Sequence, residues 1–400
     1  MPSGQPNGRA VGAARATARG NSAGTARVAA GMPPTPVDVL VIGAGQAGLS
    51  AAYHLRRRGF VPLRDAAADG SPTFLVVDAD ADPGGAWQHR WPTLLMGTVN
   101  GIHELPGYAV PPADPEAPSR EVLPAYFAAY EDRYDLRVRR PVRVRAVRRP
   151  DDDPHGPLTI EAEDAGAPAS WSARYVINAT GTWRKPFWPT YPGQGSFAGR
   201  QLHVHDYRSA EEFRGRRVVI VGAGVSAIQL LDEISRVTDT FWVSRTEPQW
   251  DATGFDTAAR IQAIAGVEER VRQGLPPGSV VSVTGAHWSP WAQAAKDRGA
   301  LVWHPMFTAV EPDGVRMPDG TLEPAEVILW ATGFRADIAH LAPLGLRTAA
   351  GGVRVRDTRA IDEPRLFLIG YGPSQSTVGA NRAGREAVRA IFRERVAAGV

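Results

Sequence analysis

The apolar positions of this chain fall into short runs that begin at residue 37. Val37–Ile42 (VDVLVI) reads as a buried strand, because a nearly unbroken apolar run bounded by glycine suits a strand covered on both faces. Gly43–Gly48 (GAGQAG) is a turn, and Gln46–Arg58 predicts a helix with Leu49, Ala52, Tyr53 and Leu55 on one side. Arg56, Arg57 and Arg58 close that helix, where cations suit the negative end of the macrodipole. Thr73–Asp78 (TFLVVD) is the next strand. The same order returns at 216–227 (RRVVIVGAGVSA), with a strand at Val218–Val221, a helix at Ser226–Arg236 and a strand at Thr240–Ser244. Two strand–turn–helix–strand units therefore lie about 180 residues apart. They predict an α/β fold with two Rossmann-like dinucleotide-binding domains.

Each turn carries a glycine pattern with a physical purpose. Gly43, Gly45 and Gly48 form G-x-G-x-x-G. The first glycine permits the tight turn, the second lets a pyrophosphate approach the backbone, and the third lets helix and strand pack closely. The free N–H groups of the helix beginning at Gln46 then offer a seat for the phosphates. Asp78, at the end of the second strand, is placed for ribose hydroxyls, although it follows Gly48 by 30 residues where about 20 is usual. The surplus fits an insertion at 61–72. Gly222, Gly224 and Ala227 repeat the pattern with alanine third, and Ser226 opens the second helix. This second unit ends in Arg245 instead of an acid. A guanidinium there can clamp a 2′-phosphate with charge and a planar fork, which favours NADP over NAD.

YVINATG (175–181) and VILWATG (327–333) end in nearly the same turn, and predict the two crossings between domains. Thr180, Gly181, Thr332 and Gly333 are thereby candidates for close approach to a nucleotide. Two nucleotide sites in one chain suggest an electron path from a nicotinamide to a bound flavin. The strand LFLIGYG (366–372) and the helix over 379–392 then complete the flavin site, with the helix N-terminus facing the flavin ring. The expected organisation is a disordered tail over 1–36, an FAD-binding domain over 37–181, an NADP-binding domain over 182–326, and the C-terminal part of the FAD-binding domain over 327–400. Met32 is a plausible native start.

Composition removes whole classes of chemistry. The chain has 400 residues and no cysteine, so disulfides, thiolate metal sites and cysteine nucleophiles are excluded. Its nine histidines show no metal-ligand spacing, so no metal site is expected. No apolar run reaches membrane-spanning length, and no secretory signal is visible, which together suggest a cytoplasmic protein. All but two of the 45 basic residues are arginine, against 42 acidic residues. The dense run Arg137–Arg149 alternates arginine with Val142 and Val144 and reads as a solvated strand face, with no nucleic-acid module around it.

Between the two units lies Phe197, Gly199, His203 and Tyr207 at the spacing F-x-G-x-x-x-H-x-x-x-Y. With the string Gly84-Gly85-Ala86-Trp87 and the two Ala-Thr-Gly turns, this resembles the class B flavin-dependent monooxygenases over about residues 37–395. The resemblance implies FAD and NADPH as cofactors, with Gly85 and Trp87 at the FAD site. It implies an enzyme that forms a C4a-(hydro)peroxyflavin and passes one oxygen atom of O2 to a small organic substrate, at nitrogen, sulfur or a carbonyl. The partners expected are that substrate and O2, with neither nucleic acid nor membrane, and a homodimer is possible. Tyr207 is followed by Arg208 and not by the proline usual in Baeyer–Villiger members, which leans towards the N- and S-oxygenating and plant indole-pyruvate branches. By the same resemblance Asn100 is the candidate catalytic residue, an amide beside the flavin. Asn100-Gly101 is also a strong turn dipeptide, so a purely structural role stays open. Two further functions stay open: an NAD(P)H-dependent flavin reductase or oxidase without oxygenation, and a non-catalytic redox sensor.

Overall fold

The strand Thr35–Ile42 stands at the middle of a parallel sheet, between Thr73–Val77 and Ala167–Asn178. In this computed structural model, residues 33–65, 70–99, 101–150, 152–153, 155–251, 257–278 and 286–399 are described. Val39, Leu40 and Val41 are fully buried, as an apolar strand covered on both faces requires. Beyond Ala167–Asn178 the sheet continues through Leu366–Leu368, Arg359–Ala360 and Val355–Arg356; at the other edge lies Val61–Pro62. Val142–Arg148 and Leu158–Asp164 add an antiparallel extension to Ala167–Asn178. Arg143, Arg145 and Arg148 face solvent there while Val142 and Val147 are buried, so the basic run is a solvated strand face. A register shift between Val144 and Ala146 lets both Val142 and Val147 point inward.

Two helices cover the first sheet and meet through small residues. The helix Gln46–Arg56 is buried along Ala47, Gly48, Ser50 and Ala51. Thr377–Ala397 faces it with Ala380, Ala383, Gly384 and Ala387. A Cβ on Gly384 would lie 2.7 Å from Ser50 Oγ and 2.8 Å from Ala51 N, so the two backbones are as close as glycine permits.

The second sheet is wholly parallel, in the order Trp303–Pro305, Thr240–Ser244, Val218–Val221, Val327–Trp330, Arg200–His203. The strands Val218–Val221 and Thr240–Ser244 lie where the apolar runs predict, and the helix between them spans Val225–Ile234. One expectation needs correction. Val327–Trp330, assigned by sequence to the returning segment at 327–400, pairs on both sides within this second sheet. The strand fits there because its four residues are fully apolar and buried between two other strands. The return crossing therefore follows residue 333.

The two crossings run side by side. Phe187 N–H donates to Gly333 O, Arg335 N–H to Lys185 O and Asp337 N–H to Gly181 O, at 2.8–3.0 Å. Pro186 and Phe334 form an antiparallel bridge between them.

Candidate functional site

The three glycines of the first turn divide their work. Gly43 has φ 102°, and a Cβ there would lie 2.6 Å from Ala179 O. A Cβ on Gly48 would lie 1.8 Å from Gly43 O. Both glycines therefore serve the packing of turn, helix and strand. Gly45 differs: its backbone is extended, and nothing lies within 4 Å of the position a Cβ would take. That open direction belongs to a cleft of about 790 Å³, lined by Gly43, Gly45, Gln46, Asp78, Gly85 and Trp87 on one side and by Thr180 and Gly181 on another. Gly45 is backed by Gly85, whose own Cβ would approach Gly45 Cα to 2.8 Å. Residues in the two predicted strings thus meet at one point.

Asp78 is fixed before any ligand arrives. Its Oδ2 accepts the Ala44 N–H at 2.5 Å and its Oδ1 the Asp80 N–H at 2.8 Å. Burial raises its pKa against these hydrogen bonds, which lower it. A carboxylate has further lone pairs for ribose hydroxyls, so Asp78 both shapes the turn and presents an acceptor to the cleft. The side chain of Gln46 is likewise engaged, donating to Asn381 Oδ1 at 3.0 Å and to His103 O at 3.1 Å.

The opposite wall is built by the first Ala-Thr-Gly turn and the C-terminal helix. Thr180 Oγ1 donates to Asp337 O at 2.6 Å. Asn178 Oδ1 accepts from His340 Nε2 at 2.7 Å, and burial lowers the His340 pKa to about 4. Ser376 caps the helix Thr377–Ala397 by accepting the Gly379 N–H, and Ser374, Gln375, Ser376 and Thr377 line the cleft. The N-terminus of that helix thereby lines the cleft.

The second turn repeats the first. Gly222 has φ 135°, and a Cβ there would lie 2.4 Å from Ala331 O. Gly224, like Gly45, has nothing within 4 Å of its Cβ position, while Ala227 is fully buried. Ser226 lies in the first turn of the helix Val225–Ile234. Arg245 follows the strand Thr240–Ser244, is exposed, and makes no ion pair among the described residues. Each Ala-Thr-Gly turn thus supports the first glycine of a dinucleotide turn with its alanine carbonyl. Thr332 donates its hydroxyl to Phe187 O, and Gly333 O accepts from Phe187 N.

The linker motif is a packing device. A Cβ on Gly199 would meet Glu326 O at 2.3 Å. His203 is fully buried, and burial lowers its pKa to about 4. Its Nδ1 accepts the His205 N–H at 3.1 Å, so the proton sits on Nε2, which donates to Gly333 O at 3.0 Å. Tyr207 is fully buried, edge-on to Trp91 at 6.1 Å. The segment after Trp87 docks on the second helix, where Gln229 Nε2 donates to Thr98 O at 2.8 Å. Asn100 lies outside the described residues.

Sequence reasoning missed several residues of the cleft: Asp80, Arg90, Trp183 and Asp337. Asp80 accepts from His89 Nε2 at 3.1 Å and pairs with Arg184. Burial works to raise its pKa, but His89 and Arg184 outweigh burial and hold it low. The acid triplet Asp78, Asp80, Asp82 was the available signal for Asp80; Arg90 and Trp183 carry none. Among the described residues no group of three or more His, Asp or Glu could hold a metal ion, and no helix is long and apolar enough to cross a membrane.

The family model described as pyridine nucleotide-disulphide oxidoreductase matches residues 93–287. A flavin monooxygenase from Stenotrophomonas maltophilia, solved as a double mutant, is 36% identical, with a TM-score of 0.75 over 90% of this chain and 99% of its own. The trimethylamine monooxygenase of Pelagibacter ubique is 31% identical over 209 residues, 47% of this chain and 46% of its own. A protein named uncharacterized oxidoreductase CzcO-like, from Geobacillus kaustophilus, is 27% identical over 51% of this chain and 53% of its own. The matched region spans about half the length of these two curated relatives.

Proposed function

This chain belongs to the flavin monooxygenases, and from that premise we propose that it is an FAD- and NADPH-dependent enzyme transferring one atom of O2 to a small organic substrate at nitrogen, sulfur or a carbonyl. The observation that carries this reading is the pair of open glycine positions, Gly45 and Gly224, each on a turn supported by an Ala-Thr-Gly carbonyl. Two such turns accommodate two dinucleotides, and the absence of cysteine removes a dithiol as the electron acceptor. The FAD-holding residues are Gly43, Gly45, Gln46, Gly48, Asp78, Gly85, Trp87, Thr180 and Gly181; the NADPH-holding residues are Gly222, Gly224, Ser226, Ala227, Arg245 and the Thr332–Gly333 turn.

Bound and reduced, FAD supplies the electrons that activate O2. The chain's own part is positional. The first-turn N–H groups of the helix at Gln46 seat the diphosphate. The N-terminus at Thr377 favours negative charge on the flavin ring. Gln229 holds segment 93–99 to the second helix, and the catalytic role falls to Asn100, next in sequence, whose amide would be a donor for the reacting oxygen. The test is NADPH oxidation under ¹⁸O2 with a panel of amines, sulfides and ketones. Incorporation of one labelled atom into product supports the reading. NADPH consumption that yields only hydrogen peroxide across the panel supports a reductase or oxidase instead.

A further inference from the structure

Arg90 lines the cleft and makes no ion pair among the described residues. Its guanidinium carbon lies 5.5 Å from the Trp87 ring centre and 4.8 Å from that of Trp183. Both indoles are within cation–π reach of the guanidinium, which lines the cleft. Nε is sealed from solvent without a hydrogen-bond partner, and the side chain makes no ion pair among the described residues. Burial alone lowers its pKa, to about 10, with no carboxylate acting against it. Of the other cations lining the cleft, Arg184 pairs with Asp80, Arg145 with Glu163 and Lys185 with Asp337 at 3.8 Å; Arg143 makes no ion pair among the described residues but is exposed to solvent, which Arg90 is not. A half-buried cation left unpaired is costly, so the arrangement makes sense when an anion completes it.

The surroundings describe that anion's owner. Trp183 stacks on Phe334 at 5.0 Å and lies 5.0 Å from His205, so an aromatic shelf adjoins the guanidinium. Arg90 therefore stands by the two crossings. The flavin diphosphate has its own seat at the helix beginning at Gln46. The geometry points to Arg90 as the residue that receives a carboxylate of the substrate, and hence to a substrate that is a small organic acid with a flat, apolar body. This rests on the monooxygenase reading for the word substrate, but the binding itself does not.

The test uses oxidised holoprotein without NADPH, so that it reads binding and not oxygen transfer. Phenylacetate, benzoate and 4-phenylbutyrate are titrated against their amides, with the flavin absorbance change and the thermal midpoint as readouts. The acids are expected to bind about tenfold or more tightly than the amides, as charge-assisted bonds to a fork allow. Arg90→Gln should erase that preference with flavin content unchanged, and Arg90→Lys should keep part of it. Equal binding of acids and amides by the parent protein, or an acid preference that survives in Arg90→Gln, overturns the inference. If Arg90→Gln fails to fold, Arg90→Lys decides: an acid preference undiminished from the parent's overturns it. Loss of FAD by the variants with riboflavin binding retained would assign the guanidinium to the cofactor's diphosphate, and overturns it equally. A chain that oxygenates nothing in the labelled-oxygen experiment can still pass here.

Discussion

His203 Nε2 donates to the carbonyl oxygen of Gly333, 130 residues further along the chain, at 3.0 Å. The bond ties the end of the strand Arg200–His203 to the turn that leaves the second sheet. With Nδ1 also occupied, neither nitrogen is available for proton transfer to a substrate, so His203 positions and does not catalyse.

Histidines held neutral by full or partial burial make stability depend on pH in a defined direction. His203, His340 and His54 are each lowered to about 4, mainly by burial. Between the ordinary value near 6.5 and about 4 the unfolded chain therefore binds more protons than the folded one. Stability is fully present above pH 6.5 and is lost as the pH falls towards 4. The thermal midpoint measured across that window should drop, and His340→Gln, which can still donate to Asn178, should show a shallower slope. An unchanged slope would show that His340 does not titrate on unfolding.

Gly45→Val should fold and lack flavin. Nothing lies within 4 Å of the position its Cβ would take, and a side chain there enters the space a diphosphate needs. Gly48→Val is the contrast, because its Cβ would collide with Gly43 O and the helix could not pack. Circular dichroism with the ratio of flavin to protein absorbance separates the two. Full flavin retention in Gly45→Val would contradict the assignment.

Arg245→Ala should weaken NADPH use by about tenfold, while NADH use stays nearly unchanged. The residue is exposed, so part of the effect is screened and should shrink at high salt. Equal loss of both nucleotides would give Arg245 a structural role.

Asn100→Leu should still bind FAD and be reduced by NADPH, but should release hydrogen peroxide in place of oxygenated product. The measurement is the ratio of peroxide to NADPH consumed. A variant that loses flavin would show that Asn100 serves the Asn-Gly turn.

Much of the scaffold was legible because it rests on local rules. The strands at Val218–Val221 and Thr240–Ser244 follow from apolar runs between turns, and the glycines from the close approaches that the turns require. The two Ala-Thr-Gly turns were recognisable, but not that each alanine carbonyl underlies a glycine more than 100 residues away in sequence. The placement of Val327–Trp330 was missed because an apolar strand fits either sheet, and only pairing with Val218–Val221 and Arg200–His203 decides. Arg90 was invisible for a similar reason. A single arginine in an arginine-rich chain means nothing until Trp183, from a distant segment, joins Trp87 beside it.

The paired crossings have a mechanical consequence. Two strands of chain joined by Pro186–Phe334 and three flanking hydrogen bonds resist being pulled apart, because a load on one crossing is shared by the other. The docking of segment 93–99 on the helix Val225–Ile234 is a second tie between the halves, so a turn of one half about the crossings has to loosen that dock. A protease cut in either crossing alone should leave the halves attached, because the uncut crossing and the bonds between them still bear the load.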